Sequence, residues 1–453
     1  LIISMVAGQV SAQQIQANAA RQIKSLMDEK ASRTPAQKKI NSQILYAFKM
    51  DKGQSISSEV VNLRTSVKKD AKGMIKIELD AVVTPQLLDA LKALGSEVVF
   101  SSEKFGNIVA NIPLDKVEEA ALLDAVKHID LWVAPMNNSE FSNGPVNNKT
   151  RNNQEVEFSD IRGRKIEKPT SNFKVKPDFS TRAANIRNKL NKVLDKKGLK
   201  NNYFFVGTVT SEADATHKAA LARSIFGVNG TGVKIGVLSD GVTGYATSQA
   251  SGDLPPVITI LPGQAGTGQE GRAMMELIYD LAPGAELYFA TAFGSQAGFA
   301  QNILDLRTAG CDIIVDDITY FSEGVFQDDI IAQAVNTVTA SGALYFSSAG
   351  NSGNKNDGTA GVWEGDFVDG GASAAPFPLT GNFHLFSAGV PYNVVTVNTG
   401  NTGLKWSDPL GLSGNDYDLF VTNAAGTVIE AAGTAIQDGN DNPYEQIGSC
   451  FVG

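Results

Sequence analysis

The spacing of apolar residues divides the chain into regions with different predicted structures. Residues 14–50 have helical periodicity, and Thr34-Pro35 predicts a helix start, with Thr34 as the N-cap and Pro35 as the first helical residue. We therefore interpret residues 13–72 as a helical N-terminal segment. Residues 73–135 follow the order strand, helix, strand, strand, helix, strand, which predicts a ferredoxin-like α+β domain with its second helix over 113–126.

The remainder of the chain shows three further patterns. Residues 136–205 are rich in Asn, Lys and Arg and have little periodicity, which predicts a mostly flexible linker. From 206 to 380, apolar strands alternate with helices over 271–281, 299–309 and 328–340, which predicts an α/β domain with a parallel sheet and crossover helices. Residues 381–453 have short alternating strands and Gly/Asn/Asp turns, which predict a β-sandwich.

Both ends of the sequence suggest that parts of a longer protein lie beyond it. An apolar run at 1–8 followed by Val10-Ser11-Ala12 is typical of the end of a signal peptide, so we interpret residues 1–12 as its remnant and expect a secreted or periplasmic protein. No apolar run is long enough to span a bilayer. The last residues have a strand pattern, so we expect both the α/β domain and the β-sandwich to be incomplete here.

Charge separates the two halves of the chain. Residues 1–205 contain 32 Lys and Arg against 22 Asp and Glu, a balance of +10, and residues 206–453 contain 7 against 26, a balance of −19. Opposite charges could draw the halves together, or the basic residues could simply solvate the linker. Because no basic patch is interleaved with aromatic residues, we expect no nucleic-acid partner.

Three segments of the α/β region carry candidate chemistry. Asp240 follows the strand 233–238, Glu270 precedes the helix 271–281, and Asn351 follows the strand 344–347. The carboxyl ends of parallel strands meet at one edge of a sheet, so we expect these side chains to surround one cleft. A side-chain amide at Asn351 can donate a hydrogen bond to a developing oxyanion.

These segments, in this order, resemble the subtilase family of serine peptidases. The sequence around Asp240 resembles the catalytic-aspartate motif, Ser348-Ala349-Gly350-Asn351 resembles the motif of the oxyanion-hole asparagine, and the helix ending in Ala282-Pro283 resembles the one that opens with the catalytic histidine. Residues 73–135 resemble the family's ferredoxin-like propeptide. The resemblance implies a subtilisin-like sheet, an endopeptidase acting on protein or peptide substrates, and an N-terminal region that inhibits its own enzyme.

The sequence departs from the family at the histidine, where it has Glu270. Sedolisins, which are related, use a glutamate base with an aspartate one helical turn later, but Met274 stands at that position here. We therefore predict Asp240 as the partner of Glu270, with one of the two pKa values raised. Glu270 would then accept the serine proton on the acidic side of neutrality. The other interpretation is that Glu270 stabilises the helix N-terminus.

The nucleophilic serine is the second departure. Gly371-Ala372-Ser373 mimics the family's serine motif, but it follows Asn351 by only about twenty residues. The following Phe377-Pro378 segment cannot begin the buried helix that the motif requires. We therefore do not assign Ser373 as the nucleophile and expect the serine beyond Gly453.

Other acidic residues are weaker candidates. Asp316 and Asp317 end a buried strand, where they could orient Glu270, shape the substrate cleft, bind a cation or be exposed. In the sandwich region, clustered oxygen ligands suit Ca²⁺, although polar turns have the same composition; the ligand candidates are Asp416, Asp418, Asp438 and Asp441. The chemistry requires no cofactor.

Two functions other than catalysis remain open. The chain could be a non-catalytic binding or surface protein on a subtilase scaffold, because a fold does not guarantee its chemistry. It could also be a structural module whose sandwich binds polysaccharide or protein.

Overall fold

A computed structural model describes residues 2–4, 16–137, 207–356, 358–371, 381–395 and 402–447. The N-terminal segment forms three helices, α1 (Ala17–Ala31), α2 (Pro35–Lys38) and α3 (Ser42–Asp51). The helix start expected at Thr34 is present: Thr34 Oγ1 accepts from Gln37 N, and the Gln37 side chain accepts from Thr34 N. The Asn41 side chain accepts a hydrogen bond from Gln43 N and caps α3, so local capping divides the helical region into three.

The next region forms an antiparallel sheet with two helices. Its elements are β2 (Met74–Ala81), α4 (Pro85–Ala93), β3 (Glu97–Ser102), β4 (Asn107–Pro113), α5 (Val117–Ala121) and β5 (Val126–Leu131), with strand order β3-β4-β2-β5. The helix predicted over 113–126 is shorter in the structure. A 3₁₀ turn over Leu114–Lys116 precedes α5, and the chain must reverse by Val126, which already pairs with Ala81 in the sheet.

The third region confirms the predicted parallel sheet. Five parallel strands lie in the order β12-β10-β7-β9-β8. They are β7 (Lys234–Ser239), β8 (Thr259–Ile260), β9 (Glu286–Thr291), β10 (Ile313–Asp316) and β12 (Leu344–Ser347). The helices of this region are α6 (Ala213–Thr216), α7 (Ala219–Phe226), α8 (Tyr245–Ser251), α9 (Glu270–Leu281), α10 (Gln296–Thr308) and α11 (Ile330–Ala340).

Helices cover both faces of the sheet at β7 and β9, whereas Leu344 and Phe346 of the edge strand β12 are each 57% exposed. Phe299 and Ile303 of α10 and Ile331 of α11 are buried on one face, and Met275 of α9 is buried against Phe289 on the other. This double coverage explains why the strands are apolar on both sides. It also fixes α9 so that its first residue lies at the carboxyl edge of the sheet.

The last region consists of short strands in two small sheets. The first has the order β13-β1-β15-β16, in which β1 (Ile2–Ser4) runs parallel to β13 (Tyr392–Asn393) and β15 (Leu419–Thr422), and β16 (Ile429–Gly433) runs antiparallel to β15. The second pairs β14 (Gly403–Lys405) with β17 (Tyr444–Gln446). We call residues 381–447 the sandwich region.

A cavity of about 430 Å³ lies where the antiparallel domain, the α/β domain and the sandwich region meet. Its walls include Glu78, Asp80, Glu323 and Lys405. Burial raises the pKa values of Glu78 and Glu323 to about 7 and lowers that of Lys405 to about 8. No helix within the described ranges is long and apolar enough to cross a membrane.

Candidate active site

Asp240 lies directly after β7 and is only 6% exposed. Its Oδ1 accepts hydrogen bonds from three backbone N–H groups: Gly241 at 2.5 Å, Glu270 at 3.0 Å and Gly271 at 3.2 Å. Two of these donors belong to the first turn of α9, so the carboxylate satisfies N–H groups that have no partner inside the helix. Asp240 therefore fixes the start of α9, and with it the position of Glu270.

The loop before α9 wraps around Asp240 so closely that it requires glycine. Gly268 has φ +124°, and a Cβ at this position would overlap the Asp240 carboxyl group. Gly266 has φ +62°, and its Cβ would overlap the Asp240 carbonyl oxygen. Only glycine adopts these conformations without strain and allows such an approach.

The side chain of Glu270 contacts Asp317 instead of Asp240. Asp317 follows β10, is 6% exposed and interacts with both Ser239 and the Glu270 carboxyl group. Burial, the hydrogen bond with Glu270 and the charges of Glu270 and Asp240 raise the pKa of Asp317 to about 7. We name Asp240, Glu270 and Asp317 the carboxylate cluster. The prediction paired Glu270 with Asp240, whereas in the structure Asp240 binds the backbone of residue 270 and Asp317 meets its carboxyl group.

A carboxyl oxygen of Glu270 is buried without a donor. Oε2 of Glu270 is buried and accepts no hydrogen bond in the structure. A buried acceptor without a donor costs free energy, so such an atom is a candidate for a function that supplies one. A hydroxyl group placed beside it could donate its proton to Glu270.

A short strand from the N-terminal half covers the cluster. β6 (Met136–Asn137) pairs antiparallel with β11 (Ile318–Thr319), which begins one residue after Asp317. Nδ2 of Asn137 donates to Oδ2 of Asp240 at 3.1 Å, and Asn137 is 7% exposed. Nearby, Nε1 of Trp132 donates to the carbonyl of Gly294 at 2.6 Å. The residue pairing and these two bonds form what we call the cleft contact.

The two adjacent aspartates predicted as cleft residues have different positions. Asp317 belongs to the carboxylate cluster, but Asp316 points away from it, because successive side chains of a strand alternate. Oδ1 of Asp316 accepts from Ser347 Oγ at 3.0 Å and from Ile318 N at 3.3 Å, and burial raises the pKa of Asp316. Asp316 thus links β10 to the neighbouring β12.

Two other residues considered in the sequence analysis are Asn351 and Ser373. Asn351 lies in an exposed loop four residues after β12, next to Gly350 with φ +70°. The register aligns Leu238 of β7, Asp316 of β10 and Ser347 of β12, so this loop leaves the same sheet edge as the cluster. Ser373 lies outside the described residues.

The predicted calcium ligands in the sandwich region hold protein cations instead. Nζ of Lys30 lies 2.6 Å from Asp416 Oδ1 and 2.8 Å from Asp418 Oδ1. Asp441 lies 3.3 Å from Nδ1 of His128, and Asp438 lies 4.0 Å from Nζ of Lys38. Within the described ranges, no group of three or more His, Cys, Asp or Glu side chains could hold a metal ion.

Sequence analysis did not identify Asn137 and Lys30. Asn137 stands in an asparagine-rich stretch at the start of the predicted linker, and Lys30 is one of several lysines in the N-terminal helices. Their partners are 103 and more than 380 residues away along the chain. No local signal in the sequence indicates either contact.

Comparisons with known proteins give only distant structural matches. No family model matches the chain, and no curated protein matches it. Among solved structures, the chain is similar to fervidolysin from Fervidobacterium pennivorans, a keratinolytic enzyme related to subtilisin, with 13% identity and a TM-score of 0.31 over 66% of this chain and 42% of that one. It is also similar to the epidermin leader peptide processing serine protease EpiP from Staphylococcus aureus, with 12% identity and a TM-score of 0.30 over 61% and 60% of the two chains.

Both of these structural neighbours are subtilisin-like serine proteases, and this chain spans less than two thirds of the length of each. TM-scores near 0.3 are too low to carry an argument about function. We therefore infer the function from the residues of the site.

Proposed function

We propose that this chain is part of a secreted serine-type endopeptidase of the subtilase type, in which a carboxylate replaces histidine as the general base. The observation that carries the proposal is the buried Oε2 of Glu270, which has no donor and lies on a side chain that contacts Asp317. We assign the nucleophile to a serine outside the described residues.

The carboxylate cluster contains a candidate general base, Glu270, and a neighbouring carboxyl group, Asp317, that can hold a proton. Two carboxyl groups in contact cannot both ionise cheaply, so Asp317 would keep its proton around neutrality. Asp317, whose pKa is raised to about 7, would donate this proton in a hydrogen bond to the carboxyl group of Glu270. Asp240 would keep the base in place by anchoring the first turn of α9.

The proposed reaction is acyl transfer through a covalent intermediate. The serine oxygen would attack the carbon of the peptide carbonyl while Glu270 accepts the hydroxyl proton. Glu270 would then give this proton to the leaving amine as the C–N bond breaks, and a water molecule would hydrolyse the resulting ester by the same route. The side-chain amide of Asn351 would donate a hydrogen bond to the oxyanion of each tetrahedral intermediate.

The cleft contact suits an intramolecular inhibitor. An extended segment paired with a strand beside the active site is a common way of binding a peptide substrate. Met136 and Asn137 make this type of contact, and the Asn137 amide covers Asp240. We propose that the N-terminal half blocks substrate access through these residues.

The test uses the full-length protein before and after its N-terminal half has been separated from the rest, with fluorophosphonate labelling and peptide cleavage between pH 4 and 8. We expect labelling of one serine and a loss of roughly 10²–10⁴-fold in kcat/KM for Glu270→Gln, because the variant lacks the base. Glu276→Gln is the matched control, since Glu276 lies on the same helix and accepts from Ser248.

Two results would contradict the proposal. If Glu270→Gln cleaves as fast as the wild type at every pH, residue 270 is not the base. If the wild type neither reacts with the phosphonate nor cleaves peptides even after its N-terminal half has been separated from the rest, the chain is a non-catalytic binding protein on this scaffold.

A further inference from the structure

The N-terminal helices pack on the sandwich region through a shared apolar core. Phe420 of β15 and Ile429 and Ala432 of β16 are buried against side chains of the N-terminal segment. The buried partners from that segment are Ala19, Ile23, Leu26, Tyr46, Ile56, Val60 and Leu63. This core brings together residues nearly 400 positions apart.

A buried lysine provides charge recognition at the edge of this core. The side chain of Lys30 is 6% exposed, and its Nζ lies between the carboxyl groups of Asp416 and Asp418. The two aspartates raise the pKa of Lys30 despite its burial. A charge at this depth is tolerated because it is paired, and its removal would leave two carboxylates close together without a cation.

Arg33, one turn further along the chain, binds both the backbone and the side chain of Thr434. Its Nη1 donates to the carbonyl of Thr434 at 2.6 Å and its Nη2 to Thr434 Oγ1 at 2.9 Å, while Glu29 accepts from Nη2 at 2.7 Å. Thr434 also donates its backbone N–H to Ser42 Oγ at 3.0 Å. The planar guanidinium thus fixes the geometry between the helices and β16.

Further main-chain contacts extend the interface along β16. Nε2 of Gln43 donates to the carbonyl of Ala432 at 2.5 Å, Gln22 accepts from Ile429 N at 2.7 Å, and Arg64 N donates to the carbonyl of Glu430 at 2.8 Å. By comparison, the cleft contact consists of one two-residue strand pairing and two side-chain hydrogen bonds. The surface on the sandwich is therefore a more extensive attachment of the N-terminal half than the cleft contact.

We propose that the sandwich region is the docking site of the N-terminal helical segment and retains it after the chain between residues 137 and 207 has been cut. The docking surface consists of Phe420, Ile429, Ala432 and Thr434 with Asp416 and Asp418, and its occupant is the segment 16–64 of the same chain. Lys30 and Arg33 of this segment make the specific polar contacts with the docking surface.

Retention has a consequence for the cleft. A fragment held by the docking surface presents Met136 and Asn137 to the cleft at a high effective concentration. Cutting the predicted linker alone therefore leaves the carboxylate cluster covered. Exposure of the cluster requires that the helical segment leave the sandwich region or that residues 65–137 be degraded.

The experiment cuts the chain and measures whether the fragments separate. A recognition sequence for a site-specific protease is inserted within residues 150–200, the purified protein is cut, and the fragments are analysed by size-exclusion chromatography and native mass spectrometry. We expect the cut wild type to elute as one complex of the two fragments. Lys30→Met should increase the dissociation rate at least tenfold, and Lys24→Met, on the exposed side of α1, should dissociate like the wild type.

A second measurement covers the case in which Lys30→Met fails to fold. Hydrogen exchange of the wild type is compared before and after cutting, and we expect residues 419–422 and 429–433 to keep their protection. Fragments of the wild type that separate under native conditions, or loss of this protection on cutting, would overturn the proposal. A cut sample that forms a dimer by exchanging fragments would also overturn it, because the surface would then favour a second copy.

Discussion

Replacement of Asn137 by leucine tests the cleft contact directly. In the wild type, the three backbone donors bind Oδ1 of Asp240, and the Asn137 amide binds Oδ2 at 3.1 Å. Leucine has a similar size but no donor, so Oδ2 would remain covered by an apolar group. A hydrogen bond to a charged group contributes about 1.5–3 kcal/mol, and a buried charged acceptor without its donor places the cost near the upper end.

The consequence is a more frequent opening of the strand Met136–Asn137. A loss of about 1.5–3 kcal/mol corresponds to an opening equilibrium roughly 10- to 150-fold larger. Hydrogen exchange measures this directly, because amides protected by a local contact exchange in proportion to its opening constant. We expect peptides that contain residues 132–137 and 316–320 to exchange faster by this factor.

The control for this experiment is Met136→Leu, which keeps the strand pairing and the Asn137 amide. Its exchange should remain close to that of the wild type. If Asn137→Leu exchanges within twofold of the wild type in both peptides, the amide of residue 137 does not hold the strand on Asp240, and the proposed inhibition loses its main support.

Three further predictions concern the site and the cavity. Gly268→Ala should lower the free energy of unfolding by about 2 kcal/mol or more, because the new Cβ would overlap Asp240 at φ +124°. Denaturant titration measures this loss. An unchanged unfolding midpoint would contradict the close approach of the loop before α9 to Asp240. Asp317 has a pKa near 7 in the folded protein and near 4 when unfolded, so the folded state binds the extra proton and wild-type stability should fall as pH rises from 4 to 7. Asp317→Asn should flatten that part of the profile, and an identical slope would show that residue 317 does not titrate there. In the cavity, Glu78 and Glu323 have pKa values raised to about 7 and His128 has one raised above its usual value, so the docked state retains protons. Lys405, whose pKa is lowered to about 8, opposes this effect only above about pH 8. The N-terminal fragment of the cut protein should therefore dissociate faster at pH 8.5 than at pH 5.5, and equal rates would show that the acidic groups and His128 do not contribute.

The sequence pattern predicts that Asp240 and Glu270 lie at the same edge of the parallel sheet, and the structure places both of them there. Asp240 and Glu270 follow and precede elements with strong periodicity, and parallel strands bring such positions to one edge of the sheet. The contact between the two residues therefore follows from topology. Topology does not determine which atoms make this contact, because the backbone N–H and the side-chain carboxyl group of Glu270 point in different directions.

The distinction between Asp316 and Asp317 shows what local pattern leaves undecided. Both residues end a strand, and only the direction of the pleat determines which one meets Glu270. The burial of Ile314, two residues before Asp316 and therefore on its side of the strand, is a result of how α10 and α11 cover the sheet. This depends on packing between elements that the sequence pattern describes only one at a time.

The sandwich region shows a stronger limit of prediction from sequence. Asp416 and Asp418 have a composition and spacing that suit a calcium site, and their cation in the structure is Lys30, 386 and 388 residues away. Sequence composition identifies acidic groups but not the cation that neutralises them. A lysine on a helix that packs nearby satisfies the same charge requirement as a metal ion.

The charge separation between the two halves acquires a definite location in the structure. The described ion pairs Lys30–Asp418, Arg64–Glu430 and His128–Asp441 join the basic half to the sandwich region. Salt should weaken the exposed Arg64–Glu430 pair more than the buried Lys30 pair, since screening acts mainly on charges in water. Within the described residues, the attraction between the halves is therefore concentrated in a few ion pairs with the sandwich region, and the buried lysine makes its docking surface selective for one helix.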